Sequence, residues 1–215
     1  IAKEVENKRC VVAHAPTGLG KTAASIAPAL SYALDNGKTV FFLTSKNTQH
    51  RIAVQTLQEI KSKHKVSISG VDIVGKKHMC IQSGVSLLST SEFTEYCRAL
   101  REDKRCEFFE NLRDGERLKP ETKLALSTLK ELSPVSVEQS IEIGTKHKLC
   151  PYELALMLAA KANIIIADYY YLFHPKIRET FLKKNDKLLE DAIIIVDEGH
   201  NLPDRVKNLA TASLS

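Results

Sequence analysis

The chain has no tryptophan, only 6% of its residues are aromatic, and none of its apolar stretches reaches the length of about 18 residues that a membrane-spanning helix needs. It also has no N-terminal signal peptide, no internal repeat and no low-complexity tract. These absences predict a protein with no membrane partner. Its organisation must be read from hydrophobic periodicity and from the positions of glycine and proline.

The five cysteines include no closely spaced pair, and their number is odd. Without a signal peptide, such cysteines predict a reducing setting, either the cytoplasm or the nucleus, where thiols are core residues or metal ligands. The chain begins at Ile1 rather than Met and stops soon after a pair of acidic residues. We therefore expect it to be a fragment of a longer protein.

What is present suffices for one substantial core, because 215 residues can bury one core, or one core plus a small insert. The net charge of +5 is compatible with a polyanionic partner, although many ordinary soluble proteins are equally basic.

A glycine-bearing run lies near the N-terminus, between a predicted short strand at 10–13 and a predicted helix. The run is Ala-Pro-Thr-Gly-Leu-Gly-Lys-Thr, at 15–22. The backbone N–H groups of such a loop can hold phosphates, while Lys21 reaches the outer ones and Thr22 ligates Mg²⁺. The residues expected to bind ATP are Thr17, Gly18, Gly20, Lys21 and Thr22.

A second run, near the C-terminus, completes the predicted site. Four apolar residues at 193–196 predict a buried strand, and the carboxylates of Asp197 and Glu198 follow it. Asp197 is expected to hold the metal shell and Glu198 to orient the attacking water, so that the two runs together would drive nucleoside triphosphate hydrolysis. His200 is expected to couple this site to neighbouring segments.

Each run also has a plainer interpretation. The first carries Ala15 where the general phosphate-loop pattern has glycine, and by itself it could be a turn between a strand and a helix. The second could be a strand with a charged end. The occurrence of both, in the correct order, argues against coincidence.

Apolar runs at 39–44, 66–74, 162–167 and 192–196 predict short strands, with helices between several of them. Runs that are apolar on both faces suit a parallel sheet covered by helices, so an α/β fold is expected. The predicted helices are 21–36, ending at Gly37 and kinked or shortened at Pro28, and 48–63, with Ile52, Leu57 and Ile60 on its inner face.

The distance between the two ATP-site runs predicts an insert. Asp197 follows Lys21 by 176 residues (197 − 21), whereas these strands and helices need only about 100. The surplus falls between Gly75 and Pro151, in a stretch poor in strand pattern and rich in charges of both signs, where the mixed charges of 98–117 favour a solvated helical face. The insert contains Cys80, Cys97, Cys106 and Cys150.

The gaps between these four cysteines are 16, 8 and 43 residues, which is not the paired spacing typical of structural zinc sites. Scattered ligands suit a larger cubane cluster better. From spacing alone, zinc, an iron–sulfur cluster and unrelated buried thiols all remain open. Cys10, beside two valines in the first predicted strand, is expected to be a core thiol.

Four segments, in the order found here, resemble the XPD family of iron–sulfur superfamily 2 DNA helicases, whose relatives include DinG and FANCJ. They are Gly-Lys-Lys-His-Met-Cys-Ile at 75–81, Cys-Pro-Tyr-Glu at 150–153, the tyrosine-rich segment 168–177 and Asp-Glu-Gly-His-Asn-Leu-Pro at 197–203. This chain has Lys76 where the family usually has arginine, Ser45-Lys46 where it often has Arg-Thr, and Gly199 in place of alanine.

The resemblance implies a RecA-like P-loop lobe built on a parallel sheet, at 1–75 and 151–215, interrupted by a small, mainly helical iron–sulfur domain at 76–150. It further implies a [4Fe–4S] cluster on Cys80, Cys97, Cys106 and Cys150, and ATP-driven 5′→3′ movement on single-stranded DNA, with fork DNA as a partner. It also implies a second helicase lobe, for which this sequence has no counterpart. The pathway would be DNA repair or transcription-related unwinding.

Candidate DNA contacts lie in the loop after the second predicted strand and in the tyrosine-rich segment. Hydroxyl, amino and backbone N–H groups of the loop could meet phosphates without reading sequence, although Ser45 or Thr48 could instead cap the next helix. The two tyrosines could stack on bases or could be core residues. The candidates are Ser45, Lys46, Thr48, Lys76, Tyr169 and Tyr171.

Two alternatives to an iron–sulfur helicase fragment remain. One is a P-loop ATPase whose four thiols bind zinc. The other is a non-catalytic nucleic-acid-binding module.

Overall fold

The fold is that of a computed structural model, and the structure describes residues 1–16 and 18–210. The helices are α1 (Ala2–Glu6), α2 (Lys21–Asn36), α3 (Asn47–His64), α4 (Thr90–Glu102), α5 (Glu107–Glu110), α6 (Pro120–Leu132), α7 (Val137–Lys146), α8 (Pro151–Ala159), α9 (Tyr170–Phe173), α10 (Pro175–Asn185) and α11 (Leu202–Ala210). The strands are β1 (Thr39–Leu43), β2 (Gly70–Ile73), β3 (Arg113–Asp114), β4 (Arg117–Leu118), β5 (Ile164–Ala167) and β6 (Ala192–Val196). Short 3₁₀ turns occupy Lys76–Met79, Val85–Leu87, Leu189–Asp191 and Gly199–Asn201.

Four strands form one parallel sheet in the order β2-β5-β1-β6. The register aligns Val40 of β1 with Ile164 of β5 on one side and with Ile193 of β6 on the other. Every residue of β1, β2 and β5 is buried, as expected for strands covered on both faces. The prediction of an α/β fold with a parallel sheet is confirmed.

The sheet divides the core into two layers because successive strand side chains point to opposite faces. Val40 and Phe42 pack with residues of α2 and α3, whereas Phe41 and Leu43 pack with residues of α8, α10 and the insert. Helix α2 has the predicted bounds and ends at Gly37, but it is not shortened at Pro28; burial of Ile26, Ala29 and Leu30 stabilises the helix there.

The inner face of α3 differs from the expected one. Its buried positions are His50, Ala53, Val54 and Leu57, which have the spacing of one helical face. Ile52 is exposed and Ile60 only partly buried, so of the predicted inner residues Leu57 alone is fully buried.

The predicted strand at 10–13 is absent, and the prediction that Cys10 is a core thiol is wrong. Cys10 is exposed, and Val12 is 95% exposed. Within the described residues the sheet ends at β6, so this segment has no neighbouring strand to pair with. For the same reason β6 is an edge strand rather than a buried one, and Ile194 is 44% exposed.

The insert is mainly helical, as predicted, and consists of α4 to α7 with the small hairpin β3–β4. It shares a core with the sheet: Met79, Leu112 and Leu129 belong to the same buried cluster as Phe41. Val135 also forms a parallel bridge with Val71 at the outer edge of β2. The domain limits at 75 and 150 stay a prediction. Of the helices in the described residues, none has the length and apolar character to cross a membrane.

Candidate functional site

The phosphate-loop segment leads directly into α2. Gly18 and Gly20 have φ values of 87° and 75°, left-handed conformations that glycine adopts at little cost. Gly20 occupies the N-cap position and Lys21 is the first helical residue, so the unpaired N–H groups of the first turn lie beside the lysine. Thr17 lies outside the described residues. The N–H groups at this helix start could bind an anion, and the phosphate-binding assignment stays a prediction.

The acidic pair lies at the carboxyl end of β6, next to β1. The backbone N–H of Asp197 donates to the carbonyl of Leu43 at 2.9 Å, which fixes the strand end. Glu198 has a left-handed backbone, with φ 52° and ψ 44°, which is unusual for a residue other than glycine. The backbone N–H and the side-chain amide of Asn201 both donate to the carbonyl of Glu198, at 2.9 and 3.2 Å.

The fold brings the two predicted runs together. Lys21 Nζ lies 3.7 Å from Glu198 Oε1, and His200 Nε2 lies 3.5 Å from Glu198 Oε2. The predicted phosphate-binding lysine and the predicted water-orienting carboxylate therefore share one site, although they are 177 residues apart in sequence (198 − 21).

Asp197 has the character of a metal-binding carboxylate. Its Oδ2 atom is buried and has no hydrogen-bond partner among the described residues. Burial, and then the charge of Glu198, raise the pKa of Asp197, while Lys21 opposes this shift. A bound cation would offset both the burial of the Asp197 carboxylate and its repulsion by Glu198, so the residues fit Mg²⁺. Thr22, the second residue of α2, is partly buried at the same helix end.

The loop after β1 presents three of the predicted DNA contacts. Ser45 is partly buried, whereas Lys46 and Thr48 are exposed. Lys46 occupies the N-cap position of α3, and no side chain of the described residues caps the helix, so the alternative role of Ser45 or Thr48 as a cap is not observed. The first N–H groups of α3 therefore remain available to an anion.

A groove of about 880 Å³ runs from the start of α3 to α4 of the insert. Its basic and polar lining includes Asn47, Lys76, Lys77, His78, Arg98 and Arg101. Except for Lys76, sequence reasoning did not select these residues, and for Arg98 and Arg101 the mixed charges of 98–117 predicted only a solvated face. Their shared position depends on how the insert packs against the lobe.

The two selected tyrosines are core residues. Tyr169 is 1% exposed and Tyr171 is 5% exposed, so neither ring can stack on a base in this structure, and the expectation of stacking is corrected. The partly exposed Tyr170 lines the groove, beside the buried Tyr171. A short helix, α9, begins at Tyr170 and includes Tyr171.

The four cysteines of the insert line one small cavity of about 20 Å³, together with Phe93, Phe108 and Phe109. Within residues 1–16 and 18–210 there is no group of three or more Cys, His, Asp or Glu side chains placed to hold a metal ion. The predicted cluster is therefore not confirmed. Four thiols that border one cavity are nevertheless the kind of donor that an iron–sulfur group takes.

Burial raises the pKa of Cys150 to about 12, and it also raises the pKa of Cys80. Cations lie near these thiols. Glu153 Oε1 lies 3.3 Å from Arg101, 3.6 Å from Lys184 and 4.0 Å from Lys76. Because one carboxylate faces three cations, positive charge remains beside the thiols and the groove.

Comparisons with known proteins agree with this arrangement. The model of the DEAD_2 family matches residues 43–215. The chain is 32% identical over 119 residues to the cattle (Bos taurus) regulator of telomere elongation helicase 1, a match that covers 55% of this chain and 9% of that protein. It is 33% identical over 100 residues to the XPD helicase subunit of general transcription and DNA repair factor IIH from Dictyostelium discoideum, covering 46% of this chain and 11% of that protein.

Solved structures extend the likeness to nearly the whole chain. A structure described as XPD helicase matches with a TM-score of 0.63 and 27% identity, covering 97% of this chain and 32% of that one. A truncated XPD matches with a TM-score of 0.60 and 26% identity, covering 100% of this chain and 54% of that one. The chain spans about a tenth of the length of the curated relatives. Since the family model covers most of its residues, the chain belongs to the DEAD_2 family of XPD-like superfamily 2 helicases.

Proposed function

We propose that the chain forms the ATP-binding lobe of an ATP-dependent DNA helicase of the XPD type. The observation that carries this proposal is the 3.7 Å approach of Lys21 Nζ to Glu198 Oε1, beside the unpartnered Oδ2 atom of Asp197. A phosphate-loop lysine, a metal-binding carboxylate and a water-orienting carboxylate at one strand end are the groups that phosphoryl transfer to water requires.

In this proposal the residues have separate roles. The loop amides and Lys21 bind the phosphates. When a phosphate binds, the Lys21 ammonium group exchanges its contact with Glu198 for one with the phosphate. Thr22 and Asp197 hold Mg²⁺, which would neutralise charge on the phosphates. Glu198 orients the attacking water, and His200, whose Nε2 lies 3.5 Å from Glu198 Oε2, holds that carboxylate in position.

The substrate strand is single-stranded DNA, taken from a fork and followed in the 5′→3′ direction. The groove between α3 and α4 supports this part of the proposal, because Lys77, Arg98 and Arg101 supply charge and Tyr170 supplies a stacking surface. Ser45, Lys46 and Thr48 would contact phosphates from the adjoining loop. The direction and the role in DNA repair or transcription are taken from family resemblance.

The proposal includes a [4Fe–4S] cluster held by Cys80, Cys97, Cys106 and Cys150. Their convergence on one cavity supports it, and Lys76 and Arg101 would offset the negative charge of the thiolates. In the family the cluster domain lies beside the DNA path and helps to separate the strands.

The activity is tested with a chain extended through a second lobe. We expect single-stranded DNA to stimulate ATP hydrolysis, and DNA affinity to fall as salt rises. Glu198→Gln should abolish turnover and retain nucleotide binding, whereas Glu190→Gln, an exposed residue in the turn before β6, should behave as wild type. If DNA binds without any stimulation of hydrolysis, the chain is a non-catalytic binding module.

The cluster is tested by iron and sulfide analysis of protein purified without oxygen. We expect about four irons per chain and their loss in Cys80→Ser or Cys150→Ser. Cys10→Ser is the matched control, because Cys10 is exposed and lies outside the cavity. One equivalent of zinc without iron would favour a tetrahedral zinc site and reject the cluster.

A further inference from the structure

The hydroxyl of Tyr169 lies where three strands of the sheet end. The ring is buried just beyond β5, and its hydroxyl donates to the backbone carbonyls of Asp197 and Glu198, with 3.1 Å to the Glu198 oxygen. The Tyr169 side chain reaches these carbonyls across the end of β1, which lies between β5 and β6 in the sheet. One side chain therefore joins the segment after β5 to both acidic residues.

This contact supports a strained part of the ATP site. The left-handed backbone of Glu198 costs about 1 kcal/mol or more for a residue other than glycine, so neighbouring contacts must hold it. Asn201 and Tyr169 supply hydrogen bonds to its carbonyl. The direction of the Glu198 carboxylate follows from this backbone conformation.

The candidate DNA loop starts beside the segment that carries Tyr169. The N–H of Thr44 donates to the carbonyl of Ala167 at 3.0 Å, which holds the start of the loop against the residues before Tyr169. Ser45 is the next residue. Burial raises the pKa of the Tyr169 phenol, and the side chain of Ser45 acts in the opposite direction.

We propose that Tyr169 is a positioning residue. Through its hydroxyl it couples the loop after β1, which carries Ser45, to the orientation of the Glu198 carboxylate. The inference rests on the proposed function, because it assigns a link between the DNA loop and the hydrolytic carboxylate of that site. A DNA strand bound at Ser45 would change the hydrogen-bond partner of the Tyr169 hydroxyl. The acidic segment would then shift relative to the phosphates.

The experiment uses Tyr169→Phe in the chain extended through a second lobe, since this change keeps the ring and removes one oxygen. We expect the DNA-stimulated kcat to fall by about tenfold or more, because small misplacements of catalytic groups have effects of this size. The KM for ATP and the affinity for single-stranded DNA should stay within about twofold, because no phosphate-binding group is changed.

Tyr171→Phe is the matched control. Tyr171 is also a buried tyrosine whose hydroxyl donates to a backbone carbonyl, that of Val74 at 2.9 Å, away from the acidic pair. Tyr169→Phe loses a hydroxyl that is shared between two carbonyls, and Tyr171→Phe loses a hydroxyl bonded to one, so both should lose thermal stability, whereas only Tyr169→Phe should lose turnover.

The outcomes separate the two proposals. If wild-type protein hydrolyses ATP with DNA stimulation and Tyr169→Phe matches it in kcat, the positioning role is overturned while the proposed function stands. An equal loss in both variants would reduce Tyr169 to a structural residue and would also overturn the inference. If the wild-type protein shows no DNA-stimulated hydrolysis, the proposed function fails, and the coupling fails with it.

Discussion

Lys21 is the residue whose role depends most directly on charge. In the structure its ammonium group pairs with Glu198 at 3.7 Å, at the helix start where phosphates are expected. We expect Lys21→Ala to weaken Mg-ATP binding by about tenfold or more, since hydrogen bonds to charged groups are worth roughly 1.5–3 kcal/mol. Titration calorimetry measures the change.

Lys38→Ala is the control for this substitution. Lys38 pairs with Asp191, at the amino ends of β1 and β6, which is the edge of the sheet opposite to the acidic pair. Nucleotide affinity should not change in this variant. Unchanged affinity in Lys21→Ala would contradict the assignment of the phosphate site.

His50 and Asp72 form a buried pair, with 2.5 Å between Nδ1 and Oδ1, beneath the groove. Burial alone would lower the pKa of His50, but the hydrogen bond and charge of Asp72, with smaller contributions from the Thr44 carbonyl and Asp168, raise it above 6.5. The folded protein therefore holds this proton more tightly than the unfolded chain, and the stabilisation is full below pH 6.5 and lost as pH rises through the folded pKa.

We expect the thermal unfolding midpoint to fall between about pH 6 and 8, and the slope to be smaller in His50→Gln. Differential scanning calorimetry over this range measures it. His64→Gln changes an exposed histidine in the last turn of the same helix and should keep the wild-type slope. A slope that is equal in all three proteins would reject the linkage.

At the scale of elements, the packing of α7 against α8 depends on a glycine. A Cβ on Gly144 would lie 2.6 Å from Pro151 Cγ and 2.9 Å from the Leu149 carbonyl oxygen, both closer than contact distance. Gly144→Ala should therefore destabilise the protein by about 1–3 kcal/mol, because the backbone after α7 must move. Denaturant unfolding measures the loss.

Gly199→Ala is the comparison variant. A Cβ there meets only Val196 Cγ1 at 3.8 Å, an ordinary contact, so stability should change by no more than about 0.5 kcal/mol. Equal stability of the two variants would show that the α7–α8 contact is not as tight as the structure has it.

The element predictions succeeded where one local signal was sufficient. Gly37 ends α2 and the apolar run at 192–196 is β6, as the sequence indicated. The predicted strand at 10–13 failed because a strand also needs a partner, and none lies beside it in the described residues. The buried face of α3 differs from the predicted one because the packing of the helix against the sheet, and not apolar character alone, decides which residues are buried.

At the scale of the whole molecule, the resemblance implies that ATP lies between two lobes and that arginines of the second stabilise the transferring phosphoryl group. Such an arginine is commonly worth about 10³-fold or more in rate. We expect the 215-residue chain to bind nucleotide but to hydrolyse it very slowly and not to unwind a duplex. Steady-state ATPase and strand-displacement assays measure both.

A chain extended through a second lobe should hydrolyse ATP and unwind DNA. The Glu198→Gln form of the extended chain controls for contaminating ATPases. Robust DNA-stimulated turnover by the 215-residue chain itself would mean that its catalytic groups are already sufficient, and the two-lobe expectation would be wrong.

The sequence by itself determined the parallel α/β fold and the chemistry of the ATP site, because phosphate loops and strand-end carboxylates are local patterns with fixed residue types. Only the tertiary structure decided that Lys21 meets Glu198, that Tyr169 and Tyr171 are buried, and that Tyr170 and Arg98 line a common groove. These facts depend on contacts between residues far apart in the chain. Side-chain exposure and mutual distance are set by packing, which a one-dimensional pattern does not specify.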